Sequence, residues 1–364
     1  MREIEGQLAG RLEEYVGNQR IAGTEPYLIE DYSQLVREVA KLAYLNKDHL
    51  LFYRGQDQDY KNRGGSSTFY PTIYRGDYLK KREVRYRFEI LDAARKRLVS
   101  EFENNNIDGE REVRRKKHVR WGILQHYEVC DTPLLDFTHS LRVASSFALL
   151  GNSRKYGYVS IFGLPYITNR ITIDSEHDLA NVRLLSICPP DALRPYFQEG
   201  YLAGTTDLTT EYRSKSELDF NRRLIAKFKI PNNGSFWGQN SRPIQKDLLL
   251  PREDRIREIC NSIKSDVQRN LEPGRIGQFV KEWTELEQDL LNKTRKDDSR
   301  VYSIREAINQ LSNWEPVERN LRRIDAIRKF RNRVVHEPEK IQPGKLEEFL
   351  QELREVKSDL EAGI

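Results

Sequence analysis

The stretch Leu50-Leu51-Phe52-Tyr53-Arg54-Gly55-Gln56 is the starting point for the fold. Its first four residues form a short apolar and aromatic run, which predicts a buried strand. The run ends abruptly at Arg54, and the glycine that follows lets the backbone turn or lets a ligand approach closely. We therefore expect an arginine at the mouth of a cleft. Taken alone, the same pattern also describes an arginine at a strand end that is solvated or paired with an acidic residue.

The size and composition of the chain limit the classes of protein to consider. Its 364 residues are enough for two domains. Only 38% of the residues are hydrophobic, but 14 Phe, 18 Tyr and 4 Trp can build a substantial core. The net charge of +5 is small, so it favours an anionic partner without requiring nucleic acid.

Cysteine usage indicates the compartment. Cys130, Cys188 and Cys260 are odd in number and widely spaced, so they predict neither a zinc site nor a disulfide framework. We therefore expect a protein of the reducing cytoplasm without a bound metal. Nothing near Met1 resembles a signal peptide, and no apolar run is long enough to span a bilayer, so we expect no membrane partner.

Hydrophobic periodicity predicts both strands and helices as far as residue 254. We expect strands at 50–53, 133–138, 157–162, 170–173, 183–187 and 224–230, helices at 30–45, 79–103, 110–127 and 141–150, and a turn region at 200–210. Because strands and helices do not alternate regularly, the predicted fold class is α+β and not a doubly wound sheet. The usual dinucleotide and P-loop signatures, GxGxxG and GxxxxGK(S/T), are absent.

The composition changes after Asp254, where predicted strands stop. The apolar residues beyond this point recur at helical spacing and predict a bundle of helices with an apolar core. We place the domain boundary near residue 265, which gives a first domain at 28–265 and an all-α bundle at 266–364. Residues 1–27 are charged and weakly patterned, so we expect a peripheral arm or helix.

Residues 111–120 contain the densest basic cluster of the chain, Arg114-Arg115-Lys116-Lys117-His118. Such a cluster is usually a solvated helix face, and we favour that interpretation. The alternative is a phosphate-facing patch beside the cleft, which would contact RNA or DNA.

Several ordered motifs of the first domain resemble the FRG family, which is named for a Phe-Arg-Gly motif. Here Tyr53-Arg54-Gly55 stands in its place, with tyrosine at the first position. The resemblance covers about 28–263. Its further motifs are Gln125-His126-Tyr127, Leu134-Leu135-Asp136-Phe137-Thr138, Gln198 with Gly200, and Leu249-Leu250-Pro251-Arg252-Glu253-Asp254.

The FRG family is distantly similar to ADP-ribosyltransferases, so the resemblance implies a mixed-sheet fold of that kind with NAD as substrate. Arg54, next to Gly55 and Gln56, would contact the NAD ribose or phosphates. Asp136 and Thr138 would line the nicotinamide side. The ribose hydroxyl would be held by Glu199 or Gln198. We also place His126 and Tyr127 among the substrate-binding residues.

These residue types suit cleavage of the nicotinamide–ribose bond. The reaction passes through an oxocarbenium-like state, which a nearby carboxylate stabilises, and arginine can hold a diphosphate with two parallel hydrogen bonds. If Gln198 rather than Glu199 faces the ribose, the site has less electrostatic help and binds without reacting. Three structural alternatives stay open: Glu199 as a solvated turn residue, Asp136 as a helix N-cap, and His126 as a core histidine.

A second motif lies in the helical bundle. Arg331-Asn332-Arg333-Val334-Val335-His336 resembles the RxxxxH motif of HEPN domains, small helical bundles that often occur in toxins and phage-defence proteins. The resemblance implies metal-independent action on RNA, with Arg331 stabilising the phosphate and His336 moving a proton. It also implies a homodimer through the C-terminal helices. Many such bundles only dimerise or bind, and His336 could equally cap the helix end.

Three functions follow from these two resemblances. The first is a stress or anti-phage effector whose FRG domain binds NAD and cleaves or transfers its ADP-ribose, dimerised by a HEPN-like bundle. The second is a HEPN-type ribonuclease toxin whose FRG domain senses a ligand. The third is a non-catalytic nucleotide-binding scaffold, in keeping with glutamine at position 198.

Overall fold

The computed structural model describes residues 1–76, 81–206, 212, 214–251, 254–270, 273–294, 304–336, 341 and 343–362. The chain divides into two compact units, Met1–Lys264 and Ser265–Ile364, here called the N-terminal and C-terminal units. No helix within the described ranges is long and apolar enough to cross a membrane.

One mixed sheet organises the N-terminal unit, and it contains eight strands among the described residues. In chain order these are β1 Tyr27–Leu28, β2 Leu50–Gln56, β3 Leu135–Thr138, β4 Tyr156–Leu164, β5 Ile171–Asp174, β6 Leu179–Arg183, β7 Gly200–Gly204 and β8 Leu224–Pro231. The spatial order is β1-β8-β4-β2-β3-β7-β6-β5. Strand β1 pairs with β8 in parallel, and all other neighbours are antiparallel. Strand β2, which carries Arg54, therefore lies near the middle of the sheet.

Helices cover the sheet and confirm the predicted mixture of α and β elements. Those of the N-terminal unit are α1 Arg11–Val16, α2 Tyr32–Leu45, α3 Lys81–Asn104, α4 Glu110–Arg115, α5 Lys117–His126, α6 Leu141–Leu149, α7 Arg194–Gln198 and α8 Lys246–Leu249; α9 Arg255–Asn270 spans the boundary between the units. Helix α2 begins where Asp31 accepts a hydrogen bond from the Gln34 backbone N–H at 2.7 Å, and it buries Leu35 and Val39 against the sheet.

Three predicted elements differ from the structure. The helix expected at 110–127 breaks at the extended residue Lys116, where the Arg120 guanidinium donates to the carbonyls of Val113 and Arg114, both at 2.6 Å. The strand expected at 183–187 lies earlier, at Leu179–Arg183, and a 3-10 turn follows it. The turn region expected at 200–210 begins with strand β7, while residues 207–211 are outside the described part of the chain.

Residues 1–27 contain the short helix α1, as one of the two alternatives predicted, but they are not peripheral. Leu12 and Val16 are buried in the same apolar core as α2 and β8. The Asn46 side chain joins this segment to the end of α2: it accepts from the Gln7 backbone N–H at 2.8 Å and donates to the Gln7 carbonyl at 2.9 Å. The segment therefore belongs to the N-terminal unit.

Helices dominate the C-terminal unit, and no strand occurs among its described residues. The helices that follow α9 are α10 Pro273–Thr294, α11 Ile304–Gln310, α12 Glu315–His336 and α13 Pro343–Ala362. Their apolar stripes meet in one core that includes Trp283, Ile324 and Leu353. Within it the rings of Phe330 and Phe349 stack with centroids 4.0 Å apart. The all-helical composition predicted after Asp254 is what the structure shows.

Candidate functional site

A cavity of about 220 Å³ lies where β2, β3 and β7 meet the ends of α5 and α7 and one face of α6. We call it the small cavity. Six residues singled out from the sequence line it: Arg54, Gly55, His126, Asp136, Thr138 and Gln198. They are spread over nearly 150 positions of the chain, so the sheet topology brings them together.

Arg54 joins the two central strands at the cavity wall. Its Nη1 donates to the backbone carbonyl of Asp136 at 2.7 Å, which ties β2 to β3. Its Nε is buried and has no hydrogen-bond partner in the described part of the protein. Burial lowers the pKa of Arg54 to about 10, although the neighbouring Asp136 carboxylate opposes the shift. The side chain thus stays cationic at neutral pH and keeps one donor without a partner.

Asp136 is a half-buried carboxylate, and its surroundings keep it ionised. Its Oδ2 accepts from Gln125 Nε2 at 2.7 Å, and its Oδ1 lies 3.9 Å from His126 Nδ1. Burial acts to raise the pKa of Asp136, but the nearby His126 imidazole, the charge of Arg54 and the Gln125 amide outweigh it, so the pKa lies below its ordinary value. Asp136 is not the N-cap of α6, since that role belongs to Ser140.

His126 and Arg194 form the wall at the ends of α5 and α7. The His126 side chain is buried, and its Nε2 has no hydrogen-bond partner among the described residues. Arg194 donates from Nη1 to the His126 carbonyl at 3.0 Å. The His126 ring and Leu184 together limit the size of the side chain at position 200. A Cβ there would lie 3.5 Å from His126 Cε1 and 2.8 Å from Leu184 Cδ1. Gly200 therefore leaves room for the cavity and its histidine.

The structure separates the two neighbours proposed to hold the ribose. Gln198 lines the cavity, and its Nε2 donates to the Leu249 carbonyl at 2.7 Å. Glu199 follows the last residue of α7 in a left-handed conformation, with φ of 44°. Its side chain is exposed, and it is not among the residues that line the cavity. The backbone turn at the end of α7 places glutamine, and not glutamate, at the site.

Two further residues expected to bind substrate lie elsewhere. Tyr127 is buried outside the cavity lining, and its hydroxyl donates to Asp254 Oδ2 at 2.7 Å. Burial and this hydrogen bond raise the pKa of Tyr127. Asp254 also accepts from the backbone N–H groups of Leu193 and Arg194, so the tyrosine positions the start of α7. Gln56 lines a second, larger cavity.

Gly55 has a different role from the ligand approach expected of it. A Cβ at this position would lie 1.8 Å from the Ala144 carbonyl oxygen of α6. At Gly157 on the adjacent strand β4, a Cβ would lie 2.5 Å from the Ala148 carbonyl oxygen. The two glycines let α6 pack directly on the sheet, which brings Phe147 to the cavity wall.

Sequence reasoning missed two charged residues of the small cavity. Glu128 follows the end of α5 with φ of 56°, is exposed, and supplies a second carboxylate to the lining. Arg194 opens α7 and supplies a second guanidinium. Neither follows an apolar run, so neither had the strand-end signal that identified Arg54 and Asp136.

The basic cluster at 111–120 is in part structural. His118 and Arg120 are buried, and the Arg120 guanidinium holds the break between α4 and α5. Arg114 lies 3.6 Å from the Glu110 carboxylate, which reduces its free charge. The exposed basic residues that remain are Arg111, Arg115, Lys116 and Lys117.

The second motif lies at the end of α12. Arg331 is half-buried: its Nη1 donates to Asn332 Oδ1 at 3.3 Å, and its Nε has no hydrogen-bond partner in the described regions. Val334, which lies between Arg331 and His336 in the sequence, packs into the core of the C-terminal unit. His336 is the last residue of α12, and its side chain lies outside the described residues.

Comparison with known families gives one result. Residues 49–156 match the FRG domain. The FRG match starts just before β2 and ends at the first residue of β4, so it contains Arg54, His126, Asp136 and Thr138 but not Gln198. It is shorter than the resemblance read from the motifs, which reached 28–263. No curated protein and no solved structure matches the chain. Among the described residues, no group of three or more His, Cys, Asp or Glu is placed to hold a metal ion.

Proposed function

We propose that the N-terminal unit binds NAD or a related nucleotide, with the nicotinamide–ribose end in the small cavity, and that it cleaves or transfers the ADP-ribose. The observation that carries this proposal is the meeting of Arg54, His126, Asp136 and Gln198 around one cavity. The volume of about 220 Å³ suits a ring and a sugar more than a whole dinucleotide. The proposal includes a distant relationship between the N-terminal unit and ADP-ribosyltransferases.

Asp136 has the properties that the bond cleavage requires. When the C1′–N bond breaks, nicotinamide leaves with the bonding electrons, and positive charge develops on the ribose. An ionised carboxylate at the cavity stabilises that charge, and Gln125 and His126 hold Asp136 in the ionised state. Water or an acceptor hydroxyl then attacks C1′, and its proton passes to a carboxylate, a role we assign to Glu128 because it lines the cavity. Asp136 thus replaces Glu199 as the proposed catalytic carboxylate.

The unpartnered nitrogens explain how the ligand would be oriented. Arg54 Nε and His126 Nε2 are buried at the lining without a partner in the described structure. Buried polar groups are nearly always hydrogen-bonded, so a bound ligand that supplies an acceptor to Arg54 Nε and a hydrogen-bond partner to His126 Nε2 would gain affinity. Gln198, held by the Leu249 carbonyl, offers its amide to a ribose hydroxyl.

Incubation of the purified chain with labelled NAD tests this function. We expect release of nicotinamide or label transfer to a protein or nucleic-acid acceptor, and a loss of about 100-fold in rate in Asp136→Asn, since one preorganised charge is removed. Asp108→Asn, an exposed aspartate outside the cavity lining, is the matched control. No NAD loss and no label transfer by the wild type would contradict the proposal. Tight NAD binding without turnover would instead favour the scaffold function.

A second candidate function belongs to the C-terminal unit. Arg331 keeps a buried Nε without a partner in the described structure, near the end of a helix that packs into the core through Phe330 and Val334. On the HEPN-like interpretation, this guanidinium and His336 would act on RNA in a homodimer. The chain as a whole would then be a stress or anti-phage effector, with the helical unit as its dimerisation or nuclease module.

A further inference from the structure

A second, larger cavity of about 950 Å³ adjoins the small one. We call it the large cavity. It shares Arg54, Gly55 and Phe147 with the small cavity, so the two have a common wall. Its volume is in the range of small-molecule binding sites, from roughly 300 to 1,000 Å³, whereas that of the small cavity is below it. A ligand of nucleotide size therefore fits the large cavity.

The lining of the large cavity is strongly basic. Its described charged residues are Arg54, Lys61, Arg63, Arg75, Lys215 and a single acid, Asp57. Lys61 is paired with Glu25 and lies 3.9 Å from the Asp59 carboxylate, so its charge is partly compensated. The chain as a whole is almost balanced, with 61 basic and 56 acidic residues, so the four remaining cations beside Asp57 are still a local concentration of positive charge. Guanidinium and ammonium groups in such a number are typical of phosphate binding.

The loop that carries Lys61 and Arg63 is preorganised by its backbone. Within 60–68 the Thr68 N–H donates to the Tyr60 carbonyl at 2.8 Å, and the Asn62 N–H donates to the Ser66 carbonyl at 2.8 Å. Gly65 turns the chain with φ of 80°. The loop is thus a short hairpin with Arg63 near its tip.

A buried lysine fixes the base of this hairpin. Lys227 on β8 donates from Nζ to Ser67 Oγ at 2.6 Å and lies 3.5 Å from the Asp59 carboxylate. The Ser67 hydroxyl donates in turn to Asp59, and the Ser67 N–H donates to the Ala22 carbonyl at 2.8 Å. A loop held in this way loses little further conformational freedom when it binds a ligand.

Aromatic rings lie among the basic side chains. Tyr60 is 45% exposed, and its hydroxyl donates to Asp57 at 3.1 Å. Lys215 Nζ lies 4.4 Å from the centre of the Tyr70 ring, so one face of that ring is occupied. Exposed aromatic rings next to phosphate-binding cations are the usual platform for nucleobases. Tyr60 is the better placed of the two for stacking.

We propose that the large cavity is a binding site for a phosphorylated nucleoside, with its phosphates against Arg63 and Arg75 and its base on Tyr60. The site itself does not depend on the function proposed above; only the identity of its nucleoside does. Two ligands have this chemistry. One is the ADP half of an NAD molecule that extends past Arg54 from the small cavity, and the other is a separate nucleotide that accepts the ADP-ribose.

Titration of the full-length chain with ADP by calorimetry, at about 50 mM salt where phosphate contacts are strong, tests the site. We expect ADP to bind at least about tenfold more tightly than adenosine, and Arg63→Glu and Arg75→Glu each to weaken ADP binding by about tenfold or more. Arg37→Glu, an exposed arginine on α2 outside both cavity linings, should leave the affinity unchanged. Equal affinity for ADP and adenosine, or equal affinity in the lining variants and wild type, overturns the proposal.

Competition with NAD distinguishes the two sources. If ADP displaces NAD, the large cavity holds the ADP half of the donor; if both bind at once, it holds a separate nucleotide. Asp136→Asn separates this site from the proposed function, because the variant should lose NAD turnover and keep its affinity for ADP. ADP binding with no NAD cleavage in the wild type would end the proposed function and leave this site standing.

Discussion

At the residue scale, one chain of hydrogen bonds determines how Asp136 is presented. The Thr72 hydroxyl accepts from the Thr132 N–H at 2.9 Å, and the Thr132 hydroxyl donates to Gln125 Oε1. Because the Gln125 oxygen is occupied, its amide nitrogen faces Asp136 Oδ2. Gln125 is therefore a positioning residue that acts through Asp136.

Replacing Gln125 tests this role. In Gln125→Met the carboxylate loses a hydrogen bond to its ionised form, so we expect the pKa of Asp136 to rise. The proposed reaction needs the carboxylate, so the acid limb of its pH–rate profile should move to higher pH. Titration of the Asp136 carboxyl carbon by NMR measures the shift without any activity. Gln245→Met, an exposed residue at the start of α8, is the control. An unchanged titration in Gln125→Met would show that the hydrogen bond does not tune Asp136.

At the scale of elements, the contact of α6 with the sheet shapes both cavities. Gly55 on β2 and Gly157 on β4 leave space for the carbonyls of Ala144 and Ala148. Since α6 then lies directly on the strands, Phe147 contributes to the wall that the two cavities share. The packing of one small-residue helix thus sets the floor of the site.

Gly55→Ala should therefore be strongly destabilising. The added Cβ would overlap the Ala144 carbonyl oxygen, so α6 must move away from β2. We expect a loss of about 3 kcal/mol in the free energy of unfolding, measured by urea denaturation. Gly234→Ala meets no atom within 4 Å and should change it by less than about 0.5 kcal/mol. A Gly55→Ala variant of wild-type stability would mean that α6 packs less tightly than described.

At the scale of the whole molecule, the chain has two units with separate cores. The candidate nucleotide site lies wholly in the N-terminal unit, and the Arg331–His336 motif lies wholly in the C-terminal unit. The two proposed activities therefore depend on different residues and can be removed independently.

The ribonuclease candidate makes a prediction about the full-length protein. If a site forms between two copies of the motif, the rate of RNA cleavage per protein molecule should fall steeply when the protein is diluted below the dissociation constant of the dimer. His336→Ala should abolish RNA cleavage and leave NAD turnover unchanged, as measured on labelled RNA and labelled NAD in parallel. His49→Ala, in the N-terminal unit, should leave RNA cleavage as in wild type. If His336→Ala degrades RNA like the wild type, the C-terminal unit is only a structural or dimerisation module.

Elements with a strong apolar pattern could be placed from the sequence. Strand β2 and the helices of the C-terminal unit carry periodic apolar residues, whose burial largely decides where they lie. Strand β7 could not be placed, since Gly200–Gly204 is rich in glycine and small residues. Its extended conformation comes from hydrogen bonding to β3 on one edge and β6 on the other. Pairing of this kind depends on strands distant in the sequence.

The apolar runs before Arg54 and Asp136 were enough to assign both residues to strands with buried apolar side chains. Neither residue stands at the strand end expected of it, because β2 continues to Gln56 and β3 begins at Leu135. Which carboxylates share their cavity depends instead on contacts between elements that are distant in the sequence. Glu128 and Arg194 reach it through the ends of α5 and α7, and Glu199 turns away from it while Gln198 does not. The physical reason is that the direction of a side chain follows the local backbone conformation, and the packing of distant elements fixes that conformation.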